Sequence, residues 1–246
     1  MKECFKFLLG MFGTGLLTSC TTWFTGGAGP DQLTVACCQP GVVKVDGKAE
    51  ESVWRQASRY ELRTPLSMER PDNRPLQPGN VRFSCDSRYL YVFADFIDDD
   101  IVQYGRDNEI LCSRGDLLEL FIRNRSGAYW EIHITPTNRS AVIFYANAGR
   151  RIFPEALQES TLVQCDAVLD GTLNNYRDTD KGYCIEAAIP LQLFASEDEG
   201  FGDDWTMMAA RYNYSKSLDD IEYSASVVLP KINYHAVSFY TPVKMK

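Results

Sequence analysis

The stretch Leu117–Thr135, which reads LLELFIRNRSGAYWEIHIT, indicates the fold of this chain. Its two halves are short runs of apolar and aromatic residues, and Asn124–Gly127 between them contains residues that favour turns. The side chains alternate between two faces with a period of two, which is typical of a β-strand and not of a helix. The stretch therefore predicts a hairpin with strands at Leu117–Arg123 and Tyr129–Thr135.

Similar short runs along the rest of the chain predict an all-β fold. Val81–Cys85 and Tyr89–Ile97 flank the turn residues Asp86-Ser87-Arg88 and form a second predicted hairpin. Further strands are predicted at Val42–Val45, Ser140–Ala146, Leu162–Leu169, Gly182–Ile189, Trp205–Tyr214 and Val237–Tyr240, and short helices at Ser52–Ala57 and Pro190–Phe194. Many short strands with one or two short helices are typical of an antiparallel β-sandwich of the jelly-roll type.

The composition fits one folded domain and argues against several functions. The chain has 246 residues, of which 45% are hydrophobic and 24% charged, enough for one sandwich core but not for two large domains. The formal net charge is −8 and lysine and arginine form no cluster, which argues against nucleic acid as a partner. The G-x-S-x-G, H-E-x-x-H and P-loop motifs of hydrolases, zinc proteases and nucleotide-binding proteins are absent from the sequence.

The N-terminal sequence MKECFKFLLGMFGTGLLTSC has the pattern of an export signal. Lys2 and Lys6 supply a basic start, and the apolar run Phe7–Leu17 is too short for a permanent membrane-spanning helix. Leu17–Cys20 then resembles a bacterial lipobox, in which an aliphatic residue and two small residues precede the cysteine that receives the lipid. An ordinary secretory signal with an incidental cysteine is the alternative interpretation.

This leader predicts the organisation of the whole chain. Residues 1–19 are expected to be a cleaved lipoprotein signal, and residues 20–40, which begin with the lipidated Cys20, a flexible tether rich in glycine and threonine. Residues 41–246 are then the folded domain. Because several acyl chains on one cysteine form a durable anchor, we expect a bacterial membrane lipoprotein at the outer membrane or the cell surface.

Alternation along the central hairpin assigns its polar side chains to one face. Glu119 and Phe121 of the first strand share that face with Tyr129, Glu131 and His133 of the second. Carboxylate, imidazole and aromatic groups on one sheet face suit the hydroxyl groups and the C–H face of a sugar. A half-exposed outer face with ordinary cross-strand pairs is the alternative. The core-facing set is Leu118, Leu120, Ile122, Trp130, Ile132 and Ile134.

Two groups of polar residues have more than one interpretation. The acidic triplet from Asp98 to Asp100 follows a predicted strand, where its oxygens either surround a calcium ion or are simply solvated. Arg211 either pairs with one of the carboxylates Glu119 and Glu131 or binds a ligand.

The cysteines of the predicted domain do not follow a metal-binding pattern. None forms a C-x-x-C pair, and His133 and His235 are far apart in sequence, which argues against a zinc site. These cysteines either pair in an oxidising compartment or remain as buried thiols. They are Cys37, Cys38, Cys85, Cys112, Cys165 and Cys184.

Four stretches occur in an order that resembles a known family. They are DGKAEESVWRQA at Asp46–Ala57, VRFSCDSRYLYV with the acidic triplet at Val81–Asp100, DLLELF with YWEI at Asp116–Ile132, and GYCIEAAIP at Gly182–Pro190. Together they are similar to the family 9 carbohydrate-binding modules and their wider relatives. Each motif alone is weak, but the likeness extends from about Val42 to the C-terminus.

The resemblance implies a β-sandwich that binds sugars, in some relatives at chain ends, and that can hold structural calcium. It implies that Glu119 takes the position of a sugar-binding glutamate, that His133 falls near a basic polar ligand residue, and that Tyr234 forms one aromatic wall. The second wall falls near Ser113, where this chain has no tryptophan or tyrosine. Tyr104 in the preceding loop is the candidate substitute.

We therefore expect a non-catalytic, membrane-anchored protein that binds a xylan- or cellulose-like saccharide and supports glycoside hydrolases in carbohydrate catabolism. No cofactor is expected beyond calcium at Asp98 and Asp100. Three alternatives stay open: a structural or adhesive lipoprotein with a degenerate sugar slot, a haem-binding sandwich, and a glycoside hydrolase that uses two carboxylates. The predicted ligand residues are Glu119, Glu131, His133, Arg211, Tyr234 and Tyr104.

Overall fold

The computed structural model describes residues 29–106, 111–146, 150–152, 163–194 and 200–246. The predicted signal, Cys20 and the first part of the predicted tether lie outside these residues. None of the helices within the described ranges has the length and apolar character needed to cross a membrane.

The described chain is built almost entirely of strands. They are β1 Leu33–Cys37, β2 Tyr60–Glu61, β3 Gly79–Cys85, β4 Tyr89–Ile97, β5 Leu117–Arg123, β6 Tyr129–Ile134, β7 Ser140–Ala146, β8 Arg150–Ile152, β9 Gln164–Asp170, β10 Gly182–Pro190, β11 Thr206–Asn213, β12 Glu222–Ala225 and β13 Thr241–Met245. One short α-helix, α1, covers Ser52–Gln56. The all-β sandwich expected from the sequence is confirmed.

The strands form two layers that are joined by a single strand. One layer has the order β1-β3-β4-β10-β9 and the other the order β8-β7-β6-β5-β11-β13, with β2 on β3 and β12 on β11. β1 pairs in parallel with β13 through Leu33–Val35 and then with β3 through Ala36 and Cys37. The remaining described pairings are antiparallel.

The main hydrophobic core lies between the two layers. The predicted core-facing residues of β5 and β6 are all buried in it, opposite residues such as Phe83, Val92 and Ile185 of the first layer. Burial of one such side chain stabilises the fold by about 1.5–3 kcal/mol. This core fixes the orientation of β5 and β6, and with it the direction in which their polar side chains point.

The outer face of the first layer is closed by α1 and the loop before it. Trp54 is buried there, as predicted, and its indole N–H donates to Glu186 Oε1 at 2.8 Å. The backbone N–H groups of Asp46 and Gly47 donate to Glu186 Oε2 at 2.9 and 3.2 Å. Gly47 has a φ of 75°, and a Cβ atom there would lie 2.9 Å from the Val168 side chain. The DG and W residues of the opening motif therefore serve to hold this segment on β10.

The outer face of the second layer is covered by the C-terminal part of the chain. Ala225, Val227, Leu229, Tyr234 and Tyr240 pack in a second cluster against residues of β5, β6, β7 and β11. This segment therefore covers the face on which the polar residues of the hairpin lie, and leaves one opening.

Three predicted elements differ from the structure. Val42–Val45 is not a strand, and Val237–Phe239 is a 3₁₀ turn that precedes β13. The predicted tether of residues 20–40 contains β1, which the structure places between β13 and β3. The folded part thus begins before residue 41, because the apolar alternation of Leu33 and Val35 is buried by strands from the other end of the chain.

Candidate functional site

The polar groups of the central hairpin meet in register on the outer face of the second layer. Glu119 of β5 is the direct partner of His133 of β6, and Phe121 is the partner of Glu131. The prediction that these residues share one face is confirmed by this pairing. Directly opposed residues on one sheet face are close enough for their side chains to interact.

His133 lies between two carboxylates. Its Nε2 atom is 2.9 Å from Glu119 Oε1 and 2.7 Å from Glu131 Oε1. The hydroxyl of Tyr145, on β7, donates to Glu131 Oε2 at 2.6 Å. Within the part of the chain that the structure describes, His133 Nδ1 and Glu119 Oε2 are buried without a hydrogen-bond partner.

Burial and charge act against each other in this cluster. Burial alone would lower the pKa of the His133 imidazole, but its hydrogen bonds and charge interactions with Glu119 and Glu131 raise the pKa to about 9. Burial raises the pKa of the Glu119 carboxyl, although the contact with His133 opposes it. For Glu131 the opposing interactions with His133, Tyr145 and His235 outweigh burial, and its pKa is lowered. The cluster is thus an imidazolium held by at least one carboxylate.

A pocket of about 340 Å³ opens beside this cluster. Its described lining combines the two carboxylates, a thiol, an amide and several rings. It consists of Cys112, Glu119, Phe121, Glu131, Tyr145, Tyr212, Ile232, Asn233, Tyr234 and His235. The volume is at the lower end of the roughly 300–1,000 Å³ of small-molecule sites. It is therefore suited to a small ligand or to the end of a longer one.

The rings around the pocket hold one another in place. Tyr234 contacts Tyr212 with ring centroids 5.6 Å apart and Phe121 at 6.1 Å. Its hydroxyl donates to the backbone carbonyl oxygens of Ser224 and Arg211 at 3.1 and 3.3 Å. His235, whose side chain is 47% exposed, packs on Tyr145 at 5.3 Å and forms part of the rim.

Three of the predicted ligand residues line this pocket, namely Glu119, Glu131 and Tyr234. His133 is 0% exposed and is not among the described lining residues, so the prediction that it hydrogen-bonds a sugar directly is wrong. Because the C-terminal segment covers this face, the imidazole lies behind the two carboxylates and positions them.

Arg211 does not reach the pocket. On β11 it follows Met207 and Ala209, which face the main core, and its side chain points the same way. Its Nη2 atom forms a buried ion pair with Asp98 Oδ2 at 2.7 Å. Neither interpretation of Arg211 holds. It is not among the described residues that line the pocket, so it is not placed to bind a sugar there, and Glu119 and Glu131 lie on the opposite face of the sheet.

The predicted calcium site does not fit the arrangement of Asp98 and Asp100. The guanidinium of Arg211 already supplies a cation to Asp98 Oδ2, and Asp98 Oδ1 accepts the backbone N–H of Asp100 at 3.0 Å. Asp100 Oδ2 accepts the backbone N–H of Lys216 at 3.1 Å. A further cation beside Asp98 would be repelled by Arg211.

The loop before β5 contributes a thiol to the pocket where the resemblance implied an aromatic wall. Leu111–Ser113 forms a 3₁₀ turn that places Cys112 in the lining. Tyr104 is 63% exposed and is not among the described lining residues, so it does not replace that wall. Tyr212, on the neighbouring strand β11, is an aromatic residue that does line the pocket.

Several pocket residues were missed by sequence reasoning. Tyr212 could have been found from alternation, because it shares a face with Met208 and Ala210. Tyr145 could have been found in the same way as a cross-strand neighbour of Tyr129 on β7. Asn233 and His235 carry no such signal, since they lie in a loop whose position depends on the whole C-terminal segment.

Another cavity, of about 270 Å³, lies at the edge formed by β2 and β3. Its described lining includes Arg59, Arg63 and Arg74 but none of the aromatic residues of the described chain. It lacks the flat apolar surface on which a sugar ring stacks. The pocket beside Glu119 is therefore the better candidate site.

Comparisons with solved structures agree with this fold. A candidate carbohydrate-binding protein from Bacteroides uniformis is 14% identical, with a TM-score of 0.64, over 87% of this chain and 99% of that chain. A family 9 carbohydrate-binding module from Caldicellulosiruptor kristjanssonii in complex with cellotriose is 12% identical, with a TM-score of 0.53, over 87% of this chain and 93% of the module. The same comparison with a family 9 module of that organism in complex with glucose gives 12% identity and a TM-score of 0.50, over 87% and 95%.

No curated protein matches the chain. The family model described as carbohydrate family 9 binding domain-like matches residues 45–241, which is most of the sequence. That range includes the four motif stretches and the strands that build the pocket from β5 to β12. The chain therefore belongs to the carbohydrate family 9 binding domain-like family.

Proposed function

We propose that the pocket beside Glu119 binds one terminal ring of a glucose- or xylose-type saccharide without cleaving it. The observation that carries this proposal is the placement of two carboxylates and four aromatic rings around one small opening. Glu119 and Glu131 accept hydrogen bonds from sugar hydroxyls, and the faces of Tyr212 and Tyr234 are apolar surfaces for the ring. Family membership and the cellotriose and glucose complexes of the structural neighbours support the same ligand class.

The geometry of the carboxylates favours binding over hydrolysis. A glycoside hydrolase places its two carboxyl groups on either side of the scissile bond. Here Glu119 Oε1 and Glu131 Oε1 both approach the same nitrogen of His133, at 2.9 and 2.7 Å. The two groups therefore lie on one wall of the pocket, where they act as paired acceptors.

Calorimetric titration of the purified protein with glucose, cellotriose and xylotriose tests the proposal. We expect dissociation constants in the micromolar range or weaker, because a single small pocket buries little area. Tyr212→Ala and Glu119→Gln are each expected to weaken binding at least about tenfold, since each removes a contact that the pocket cannot replace.

Tyr104→Ala is the matched control, because this tyrosine is exposed and lies outside the pocket lining. It should bind with unchanged affinity. Absence of heat with all three sugars, or equal affinity of the Tyr212→Ala variant and the unaltered protein, would contradict the assignment.

We further propose that the domain is held on a bacterial membrane by a lipid on Cys20 and that it supports glycoside hydrolases that degrade xylan- or cellulose-like material. The lipobox-like sequence Leu17–Cys20 supports the anchor. In a bacterial host, the unaltered chain is expected to fractionate with membranes and to incorporate labelled palmitate. Cys20→Ser should lose the label and leave the membrane fraction, whereas Cys38→Ser should retain both properties. Equal labelling of the two variants would refute the anchor.

A further inference from the structure

Three side chains of a kind that bind transition metals come together beside the pocket. A carboxylate oxygen of Glu119, a ring nitrogen of His133 and the sulfur of Cys112 lie within 4.8 Å of one another. They come from β5, β6 and the loop before β5. Neither their spacing in the sequence nor a C-x-x-C motif therefore indicates that they lie close together. The sequence argued against a zinc site because its cysteines and histidines are far apart, but folding brings one of each together.

Two buried atoms of this group are without a partner in the described part of the chain. They are Glu119 Oε2 and His133 Nδ1, and both residues are almost completely buried. A buried polar atom without a partner costs about 1–3 kcal/mol. A carboxylate oxygen is a ligand of transition metals, so an ion bound beside Glu119 would satisfy Oε2.

The contacts of His133 indicate which of its ring nitrogens an ion would use. Nε2 lies 2.9 Å from Glu119 Oε1 and 2.7 Å from Glu131 Oε1. Nδ1 points away from both carboxylates, because the two nitrogens lie on different sides of the imidazole ring. An ion shared by Glu119 and His133 would therefore bind Nε2 in place of these hydrogen bonds, next to Glu131, which the Tyr145 hydroxyl contacts at 2.6 Å.

We propose that Cys112, Glu119 and His133 bind one divalent ion of the zinc type beside the pocket. Thiolate, imidazole and carboxylate are the three ligand classes that Zn²⁺ accepts, and this mixture does not suit calcium, which takes oxygen ligands. When the ion binds, the Cys112 thiol and the His133 imidazolium each release a proton to solvent. Metal–ligand bonds of about 2.0–2.3 Å in a tetrahedron require donor atoms roughly 3.3–3.7 Å apart. The three ligand atoms all lie within 4.8 Å of one another, which is close to this spacing.

Three protein ligands leave a fourth tetrahedral position, which is the arrangement of zinc sites that bind water or an exogenous oxygen. Cys112 and Glu119 both line the pocket, so an ion that they hold would lie beside the space in which we place the sugar. The inference goes beyond the proposed sugar binding, because the ion can bind whether or not a saccharide does.

Co²⁺ and Zn²⁺ binding to the chelator-treated protein test the site in the absence of sugar. We expect one Co²⁺ per chain with a cysteinate-to-cobalt charge-transfer band in the near ultraviolet, and competition of that band by Zn²⁺. Cys112→Ser should abolish the band and weaken Zn²⁺ binding at least about tenfold, an effect of the size seen when a metal's supporting groups are lost. Glu119→Gln should weaken Zn²⁺ binding while circular dichroism shows an unchanged fold.

The double variant Cys37→Ser, Cys38→Ser is the control, because it removes the other closely spaced thiols near β1 and β3. It should keep the band and the affinity. No charge-transfer band, or a band that survives in Cys112→Ser, overturns the metal site. Cellotriose titration of the metal-free protein separates the two hypotheses. If the protein binds sugar but no metal, only the metal site is contradicted. If it binds metal but no sugar, only the proposed function is contradicted.

Discussion

Replacement of Arg211 by methionine is expected to lower the free energy of unfolding by about 3–5 kcal/mol. Arg211 and Asp98 form an ion pair at 2.7 Å in which both side chains are essentially unexposed. Removal of the guanidinium leaves the Asp98 carboxylate buried without its cation. Removing one partner of a buried ion pair costs more stability than replacing both partners, because the remaining charge has neither water nor a partner.

The surroundings of Arg211 add to this expected loss. Its Nη1 atom donates to the carbonyl oxygens of Gln77 and Ile97 at 2.9 and 3.0 Å. Its guanidinium lies 4.6 Å from the ring centroid of Phe96 and 5.7 Å from that of Tyr183. Methionine fills much of the same volume but replaces none of these polar contacts. One residue thus connects β11 of one layer to β4 and β10 of the other.

Urea unfolding followed by fluorescence measures this loss of stability. Two further variants show how much of it comes from the ion pair. The double variant Arg211→Met, Asp98→Asn should recover part of the loss, since the charge of Asp98 is removed together with that of its partner. Arg82→Met is a matched control, because Arg82 also stacks on a ring, with its guanidinium 5.6 Å from the centroid of Phe93, but is only partly buried. Its loss should stay below about 1 kcal/mol. If Arg211→Met destabilised the protein no more than Arg82→Met, the buried ion pair would not be a main contributor to stability.

The metal-free protein is expected to lose stability as pH rises from about 6.5 to 9. The pKa of His133 in the folded protein is raised from 6.5 to about 9, so the folded state keeps a proton that the unfolded state loses in this window. The stabilisation is fully present below pH 6.5 and is lost as pH passes through 9. At 1.36 kcal/mol per pKa unit its upper bound is about 3 kcal/mol.

Only two histidines occur in the sequence, which makes this prediction directly measurable. Imidazole NMR signals recorded in EDTA should show one histidine that titrates near pH 9, and a His235→Gln variant should keep that signal. Denaturant unfolding between pH 6.5 and 8.5 should give a falling free energy. The window stops at 8.5 because buried thiols contribute to the pH dependence above it. Burial and nearby carboxylates raise the pKa of the Cys112 thiol, for example, to about 12. A His133 signal that titrates at or below pH 6.5 would disprove the charged cluster.

The sequence predicted the parts of the site that depend on local alternation. Glu119, Phe121, Glu131 and His133 were placed on one face because β5 and β6 are joined by a short turn, and pairing across such a turn has little freedom. The same alternation, which runs through Met207 and Ala209, directs Arg211 to the core. The polarity of arginine alone suggests the opposite face.

The remainder of the site could not be predicted because its contacts are distant in sequence. Cys112 and Tyr212 both line the pocket only because β11 pairs with β5, a relation that no local pattern specifies. The burial of His133 likewise results from the C-terminal segment, whose Tyr234 and Tyr240 cover the face that the hairpin presents.

By itself the sequence determined the two hairpins and the side chains of β5 and β6 that face the core, because a period of two and a turn are properties of neighbouring residues. Tertiary structure alone decided that β1 joins the two layers, that Arg211 pairs with Asp98, and that a thiol, a carboxylate and an imidazole meet under a small pocket. These features arise from packing between segments far apart in the chain. Their geometry is set by how the layers and the C-terminal segment bury apolar surface together.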